Sequence, residues 1–269
     1  MQSELKVGLV AGRGVLPVEV LSAIKSSGKE AIVIGIKGEC RPEIEEMADI
    51  YQEYGLGKLG AVIEAFKQVD IRKLVFAGKV GKEAVFRDGL DELSQKLLAS
   101  LPQKNDDAIL LAIVREFEKN GMTVLKQTEY LQHLLAEPGS IVGTIAESEM
   151  PDIKLGFKTA KAMGDLDIGQ SVIVKSGVVL AVEAIEGTDQ AIVRGGTLGG
   201  PGSVVVKVSK PRQDLRFDVP TIGKSTIESM IKAQSKILAI ETGKTFFLER
   251  DAVLSLALEH QIKIISCTF

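Results

Sequence analysis

Residues 5–10, Leu5-Lys6-Val7-Gly8-Leu9-Val10, run into the turn Ala11-Gly12-Arg13-Gly14-Val15-Leu16-Pro17, and residues 18–27 resume with apolar side chains at helical spacing. A buried strand that passes through a glycine turn straight into a helix is the opening of a strand–helix–strand crossover, whose next strand lies parallel to the first. The pattern continues. Residues 31–36 read as a second strand, 59–66 as a helix and 73–77 as a third strand. The predicted fold class is therefore α/β, beginning with a Rossmann-like parallel sheet. Residues 88–119 read as helical, broken at Leu101-Pro102-Gln103-Lys104-Asn105, with Asn105 or Asp106 as a cap. Residues 122–125 read as a short strand.

Glu137-Pro138-Gly139-Ser140 is the clearest break in the middle of the chain. It predicts an N-terminal domain over 1–136, a linker over 137–141 and a distinct C-terminal α/β domain over 142–269. In the second half, 171–174 and 178–182 flank Lys175-Ser176-Gly177 as a hairpin. Residues 195–202, four glycines among them before a final Gly202, read as a flexible loop. A strand is expected at 204–208, an irregular polar segment at 210–223, helices at 225–233 and 252–260, and strands at 237–240 and 263–265.

Composition narrows the options. Aromatic residues make up 4% and Trp is absent, while apolar residues reach 45%, so the core must be aliphatic, as α/β sheets are. The net charge of −3 gives no whole-protein case for binding nucleic acid or an anionic membrane. No apolar run reaches the length of a membrane span, about 18–20 residues. The acid at Glu4 is unlike a secretory start, so a cytoplasmic location is expected. Cys40 and Cys267 match no redox or zinc spacing and are expected as separate thiols.

Several constellations could carry chemistry. Gly12-Arg13-Gly14 lets backbone amides approach a nucleotide or phosphate, or it is a purely structural turn. The third glycine of the dinucleotide fingerprint is replaced by Pro17, and the ribose-binding acid is offered only by Glu39, which disfavours an oxidoreductase. Lys79 follows the third strand, at the edge where open α/β sheets bind ligands. Asp106 and Asp107 either cap a helix or meet metal or substrate. Glu183, Glu186 and Asp189 form the densest acid cluster, hard oxygen donors of the kind Mg²⁺ uses, with Glu186 and Asp189 on one face if a helix starts there. His133 and His260 are isolated, so zinc is not expected. From Arg194 to Lys224 six basic residues face only Asp214 and Asp218, a local +4 inside a C-terminal half that is neutral overall, with 15 basic and 15 acidic residues over 139–269. Interleaved with glycines, that segment suits a diphosphate, and an acid inside it is either a structural ion pair or a metal ligand.

The blocks Gly8 to Pro17, Gly78-Lys79-Val80, Asp106-Asp107, Val182-Glu183-Ala184-Ile185-Glu186-Gly187-Thr188-Asp189 and Gln213-Asp214-Leu215-Arg216-Phe217-Asp218-Val219-Pro220-Thr221-Ile222-Gly223 together resemble the LpxI family, the UDP-2,3-diacylglucosamine pyrophosphatases of lipid A biosynthesis. The resemblance implies a Rossmann-like N-terminal domain and a different C-terminal one, with substrate held between them. It implies Mg²⁺-dependent hydrolysis of UDP-2,3-diacylglucosamine to 2,3-diacylglucosamine 1-phosphate and UMP, with attack at the phosphorus attached to the sugar. It implies one essential aspartate in the C-terminal domain, Asp214 or Asp218; with the residue pattern beside it, Asp214, Asp218 and Arg216 are the expected catalytic residues, and Asp214, Asp218 and Glu183 the expected metal ligands. Substrate contacts are expected from Gly12, Arg13, Gly14, Lys79, Asp106, Asp107, Glu186, Gly187, Thr188, Asp189, Arg194, Lys207 and Thr221. Such an enzyme would touch the cytoplasmic face of the membrane transiently to reach its lipid-linked substrate, alone or as a homo-oligomer. The alternative of another class is a nucleotide- or phosphate-binding regulatory module without hydrolysis.

Overall fold

The structure, a computed structural model, describes residues 5–81, 89–102 and 106–269, at 106 and 107 the backbone alone. The chain divides into two compact units, one running to Leu131 and taking in Leu215–Phe217, the other comprising Gln132–Asp214 and Asp218–Phe269.

The first unit is built on β1 (Lys6–Ala11), α1 (Leu16–Ser26), β2 (Glu30–Ile36), α2 (Pro42–Met47), β3 (Ile50–Tyr54), α3 (Leu59–Gln68), β4 (Lys73–Ala77), α4 (Glu92–Ser100), α5 (Asp106–Lys119) and β5 (Thr123–Val124). All five strands are parallel, in the order β3-β2-β1-β4-β5. This is the expected Rossmann-like sheet. α3 shows why the local pattern works: Leu59, Val62, Ile63 and Phe66 recur at three and four residues and are the ones buried. Phe76 meets Phe117 edge to face, Phe66 meets Phe117 at a tilt, and Phe217 packs against the same cluster. The expected cap at Asn105 and the helix start at Asp88 lie outside the described residues.

The second unit contains β6 (Gly139–Val142), α6 (Met150–Asp165), β7 (Ser171–Lys175), β8 (Val178–Val182), α7 (Thr188–Gly199), β9 (Val204–Lys207), β10 (Thr221–Ile222), α8 (Lys224–Ala233), β11 (Ile237–Glu241), β12 (Phe246–Phe247), α9 (Arg250–Glu259) and β13 (Lys263–Cys267). Its main sheet runs β6-β13-β11-β9-β7-β8. β9, β11 and β13 are parallel, and the hairpin β7–β8 and the edge strand β6 are antiparallel to their neighbours. Gly139, Ser140 and Ile141, expected in the linker, are part of β6. Ser176 and Gly177 both have positive φ, 51° and 76°, as a two-residue hairpin turn matched to the strand twist requires. Their amides donate to the two oxygens of Asp152 at 2.7 Å each.

One expectation is overturned. Residues 195–199 are not a flexible loop but the last turns of α7, and their glycines are there for contact. A Cβ on Gly195 would lie 2.6 Å from Ile173, one on Gly196 2.6 Å from the Ala233 backbone, and one on Gly199 2.2 Å from Leu180. Only a bare backbone lets α7 sit this close to both the hairpin and α8.

Candidate functional site

In the first unit the strand order reverses between β1 and β4, and ligands of open α/β sheets bind outside the carboxyl ends of the strands at such a point. The turns leaving these two strands are joined. Gly12 N donates to Ala77 O at 2.9 Å, Arg13 N to Lys79 O at 2.8 Å and Lys79 N to Arg13 O at 3.0 Å. A Cβ on Gly12 would lie 2.4 Å from the Lys79 carbonyl oxygen, so the crossing demands glycine there. Gly14 has φ +103° and opens onto free space. Arg13 Nε donates to Glu39 Oε2 at 2.7 Å, Nη2 lies 2.7 Å from the same oxygen as an ion pair, and the Glu39 side chain is 1% exposed. Lys79 is exposed. Gly12, Arg13, Gly14 and Lys79 are thus brought together, whereas the side chains of Asp106 and Asp107 lie outside the described residues.

In the second unit the chemistry gathers where β9 ends. Lys207 is buried, and its ammonium donates to Thr188 Oγ1 at 3.1 Å and to the Thr221 carbonyl at 2.8 Å. Thr188 opens α7 and passes its own proton to Glu183 Oε1 at 2.9 Å, and Ser171 Oγ stands 3.3 Å from the same hydroxyl. Antiparallel register sets Ser171 opposite Lys207, which brings the start of β7 to the end of β9. A hydroxyl has one donor and two acceptor positions, so Thr188 is saturated by these three neighbours and links the Lys207 cation to the Glu183 anion.

Glu186 does not share a helical face with Asp189, because Gly187, at φ +81°, is the cap from which α7 starts. Glu186 instead pairs with Arg194, whose Nη2 also donates to the Val182 carbonyl at 2.7 Å. Hydrogen bonding and charge from Arg194 hold the Glu186 carboxyl below its ordinary value. Asp189 sits in the first turn of α7, where the helix dipole favours an acid.

The segment leaving β9 forms a one-turn loop in which Asp218 N donates to Asp214 O at 3.0 Å. Gln213 Nε2 donates to Asp218 Oδ2, and Lys210 Nζ lies 3.9 Å from the same oxygen and 2.7 Å from Asp167. Arg216, between the two aspartates, belongs to the first unit and pairs with Glu118 at 3.2 Å. Arg194, Lys207 and Arg216 therefore each hold a separate partner, and the local excess of positive charge is matched by acids distant in sequence. Thr221 turns its hydroxyl to the Val219 carbonyl and offers Lys207 only its own carbonyl.

The donors for a divalent cation are correspondingly fewer than expected. Among the described residues no three Asp, Glu, His or Cys side chains converge, so Glu183 does not join Asp214 and Asp218 in one group. Two carboxylates one turn apart still fit Mg²⁺, which takes one or two and fills its shell with water and phosphate oxygens. Residues that sequence reasoning missed are Ser171 and Gln213, ordinary polar side chains whose roles depend on register and turn geometry.

These features define a two-unit α/β protein with polar clusters at strand ends suited to an anionic, phosphate-bearing ligand. Residues 6–134 match the model of the LpxI N-terminal domain and 138–265 that of the LpxI C-terminal domain, and the chain belongs to the LpxI family. The UDP-2,3-diacylglucosamine pyrophosphatase LpxI of Caulobacter vibrioides is 33% identical over 268 residues, covering 94% of both chains. Among solved structures, the biotin carboxylase domain of Hydrogenobacter thermophilus 2-oxoglutarate carboxylase aligns at 17% identity over 65% of this chain and 35% of its own, with a TM-score of 0.27. The leucoanthocyanidin reductase of Vitis vinifera aligns at 14% identity over 44% and 47%, also with a TM-score of 0.27. Both are too remote to bear on function.

Proposed function

We propose that this chain hydrolyses the diphosphate of UDP-2,3-diacylglucosamine, with Mg²⁺, to 2,3-diacylglucosamine 1-phosphate and UMP. The observation that carries the reading is likeness to the Caulobacter pyrophosphatase across 94% of both chains, through both units. In this reading Asp214 and Asp218 hold the cation. When bound it supplies charge neutralisation at the diphosphate oxygens and a more acidic water. Water attack on a diphosphate demands little covalent chemistry from the protein and much positioning of charge. Lys207, fixed by Thr188 and Thr221, supplies a cation that needs no reorganisation, and Gln213 orients the Asp218 carboxylate. Arg194 acts on the neighbouring loop by holding Glu186 against the start of α7.

The acyl chains of such a substrate reside in a membrane leaflet, so the reaction belongs at the cytoplasmic membrane face, reached by transient contact. Among the described residues no helix is long and apolar enough to cross a membrane. Thin-layer chromatography of UDP-2,3-diacylglucosamine incubated with the purified chain tests the proposal. The diacyl sugar phosphate should form with Mg²⁺ and fail to form with EDTA. Its absence in both conditions, with UMP still bound, would leave the non-catalytic module as the better description.

A further inference from the structure

Glu241 closes β11 and Lys161 lies in α6, and the two side chains meet at Ser209, two residues beyond β9. Lys161 Nζ donates to Glu241 Oε1 at 2.8 Å, to Oε2 at 2.6 Å and to the Ser209 carbonyl at 2.8 Å. An ammonium has three N–H groups, so these three acceptors use it in full. Glu241 Oε2 also accepts from Ser209 N at 2.8 Å, and Lys244 Nζ stands 3.0 Å from Oε1. Ser209 is buried, and the Glu241 side chain is 2% exposed. One ion pair thus grips both backbone polar groups of a single residue, its N–H through the acid and its C=O through the base.

Stability alone does not call for this arrangement. Burying a charge pair costs about as much hydration as the attraction returns, and apolar side chains of similar size often serve as well or better. What the pair supplies is one fixed course for the chain leaving β9. The hold passes on from Ser209: Lys210 N donates to Gln213 Oε1 at 2.8 Å, and Gln213 Nε2 donates to Asp218 Oδ2. Asp218 N in turn closes on Asp214 O at 3.0 Å. Ser209 is therefore the anchored end of the segment that presents both aspartates.

We infer that Lys161 and Glu241 are positioning residues: by clamping the backbone of Ser209 they set the place of the turn between Asp214 and Asp218, and neither touches substrate. That this turn acts on a diphosphate rests on the proposed hydrolysis, whereas its fixing by the pair rests on the geometry of the second unit alone.

The test uses the full chain with Lys161→Met, Glu241→Met and the double variant. Thermal midpoints are compared with kcat and KM on UDP-2,3-diacylglucosamine, assayed with Mg²⁺ well below the lowest midpoint. Amide hydrogen exchange read by mass spectrometry follows residues 209–218 without substrate. Lys161→Met strands the buried Glu241 carboxylate and should lower the midpoint most, and the double variant, with no stranded charge, should recover part of that loss. In all three kcat should fall about tenfold with KM within about twofold, since a small misplacement of reacting groups costs rate. The double variant should be no slower than the slower single, because two residues acting through one backbone contact are not additive. Exchange over 209–218 should quicken about tenfold in each, with the strands of the second unit still protected. A kcat that climbs back with the midpoint in the double variant would make the pair merely structural and overturn the inference. So would exchange that is unchanged over 209–218 or raised throughout the unit. If Lys161→Met does not fold, Glu241→Met and the double variant decide in the same terms. A wild type that turns over no substrate removes the proposed hydrolysis and leaves exchange to decide: quickening confined to 209–218 supports the inference, and any other pattern overturns it.

Discussion

Gly12→Ala is the perturbation whose cost is most directly worked from the structure. The new Cβ would stand 2.4 Å from the Lys79 carbonyl oxygen and 3.2 Å from Val80 Cγ1. The first contact is with backbone and cannot be relieved by a rotamer change. Lys79 must retreat, and what it loses is the pair of bonds it shares with Arg13, at 2.8 and 3.0 Å. At about 0.5–1.5 kcal/mol net for each, the variant should lose about 1–3 kcal/mol. For a unit of this size that lowers Tm by about 3–15 °C. The three tyrosines, Tyr51, Tyr54 and Tyr130, all lie in the first unit and Trp is absent, so tyrosine fluorescence on heating reports that unit selectively. Trimming Val80 to Ala in the Gly12→Ala background should restore nothing. A Gly12→Ala protein within about 0.5 kcal/mol of wild type, or rescue by Val80→Ala, would refute the argument that the crossing of backbone, and not its side chains, demands glycine.

Asp214→Asn and Asp218→Asn should each lower kcat at least about 100-fold while leaving the far-ultraviolet circular dichroism of the chain unchanged, as removal of a group essential to phosphoryl transfer does. Lys207→Met leaves the Thr221 carbonyl without its donor and Glu183 without its linked cation, and a loss of about 2–4 kcal/mol is expected by urea titration followed by circular dichroism. Burial pushes the Glu241 carboxyl up, but Lys161, the Ser209 amide and Lys244 together hold it below its ordinary value of 4.5. A depressed carboxylate contributes stability that is complete above the unfolded value and is lost as pH falls through the folded one. Glu241→Gln should therefore be less stable than wild type at pH 7 and should show a smaller further loss below about pH 4.5, read from Tm against pH.

The elements that could be read from the chain are those whose apolar pattern is uninterrupted. β1, β2 and β4 are continuous aliphatic runs buried on both faces, and α3 has one clean stripe. β3 escaped because it is a sheet edge, with Gln52 and Glu53 exposed to solvent. α6 escaped because its buried face includes Gly156 and Gly164, which count as breaks in a sequence pattern. In the fold Gly156 lets the helix approach Val206, where a Cβ would lie 2.3 Å away. The same ambiguity turned the glycines of α7 into an expected loop, since composition does not distinguish a glycine used for freedom from one used for closeness. At the candidate site, residue types were legible and pairings were not. The acids that hold Arg194, Lys210 and Arg216, namely Glu186, Asp167 and Glu118, lie 8, 43 and 98 residues away. Local charge counting sees the cations and misses what they hold.

Turnover in oxygen-18-labelled water, with Mg²⁺ and mass spectrometry of both products, tests the central claim most directly. Attack by water at the phosphorus attached to the sugar places a single heavy oxygen in 2,3-diacylglucosamine 1-phosphate and none in UMP. Label found in UMP instead would contradict the assigned point of attack, and the absence of both products would contradict hydrolysis by this chain altogether.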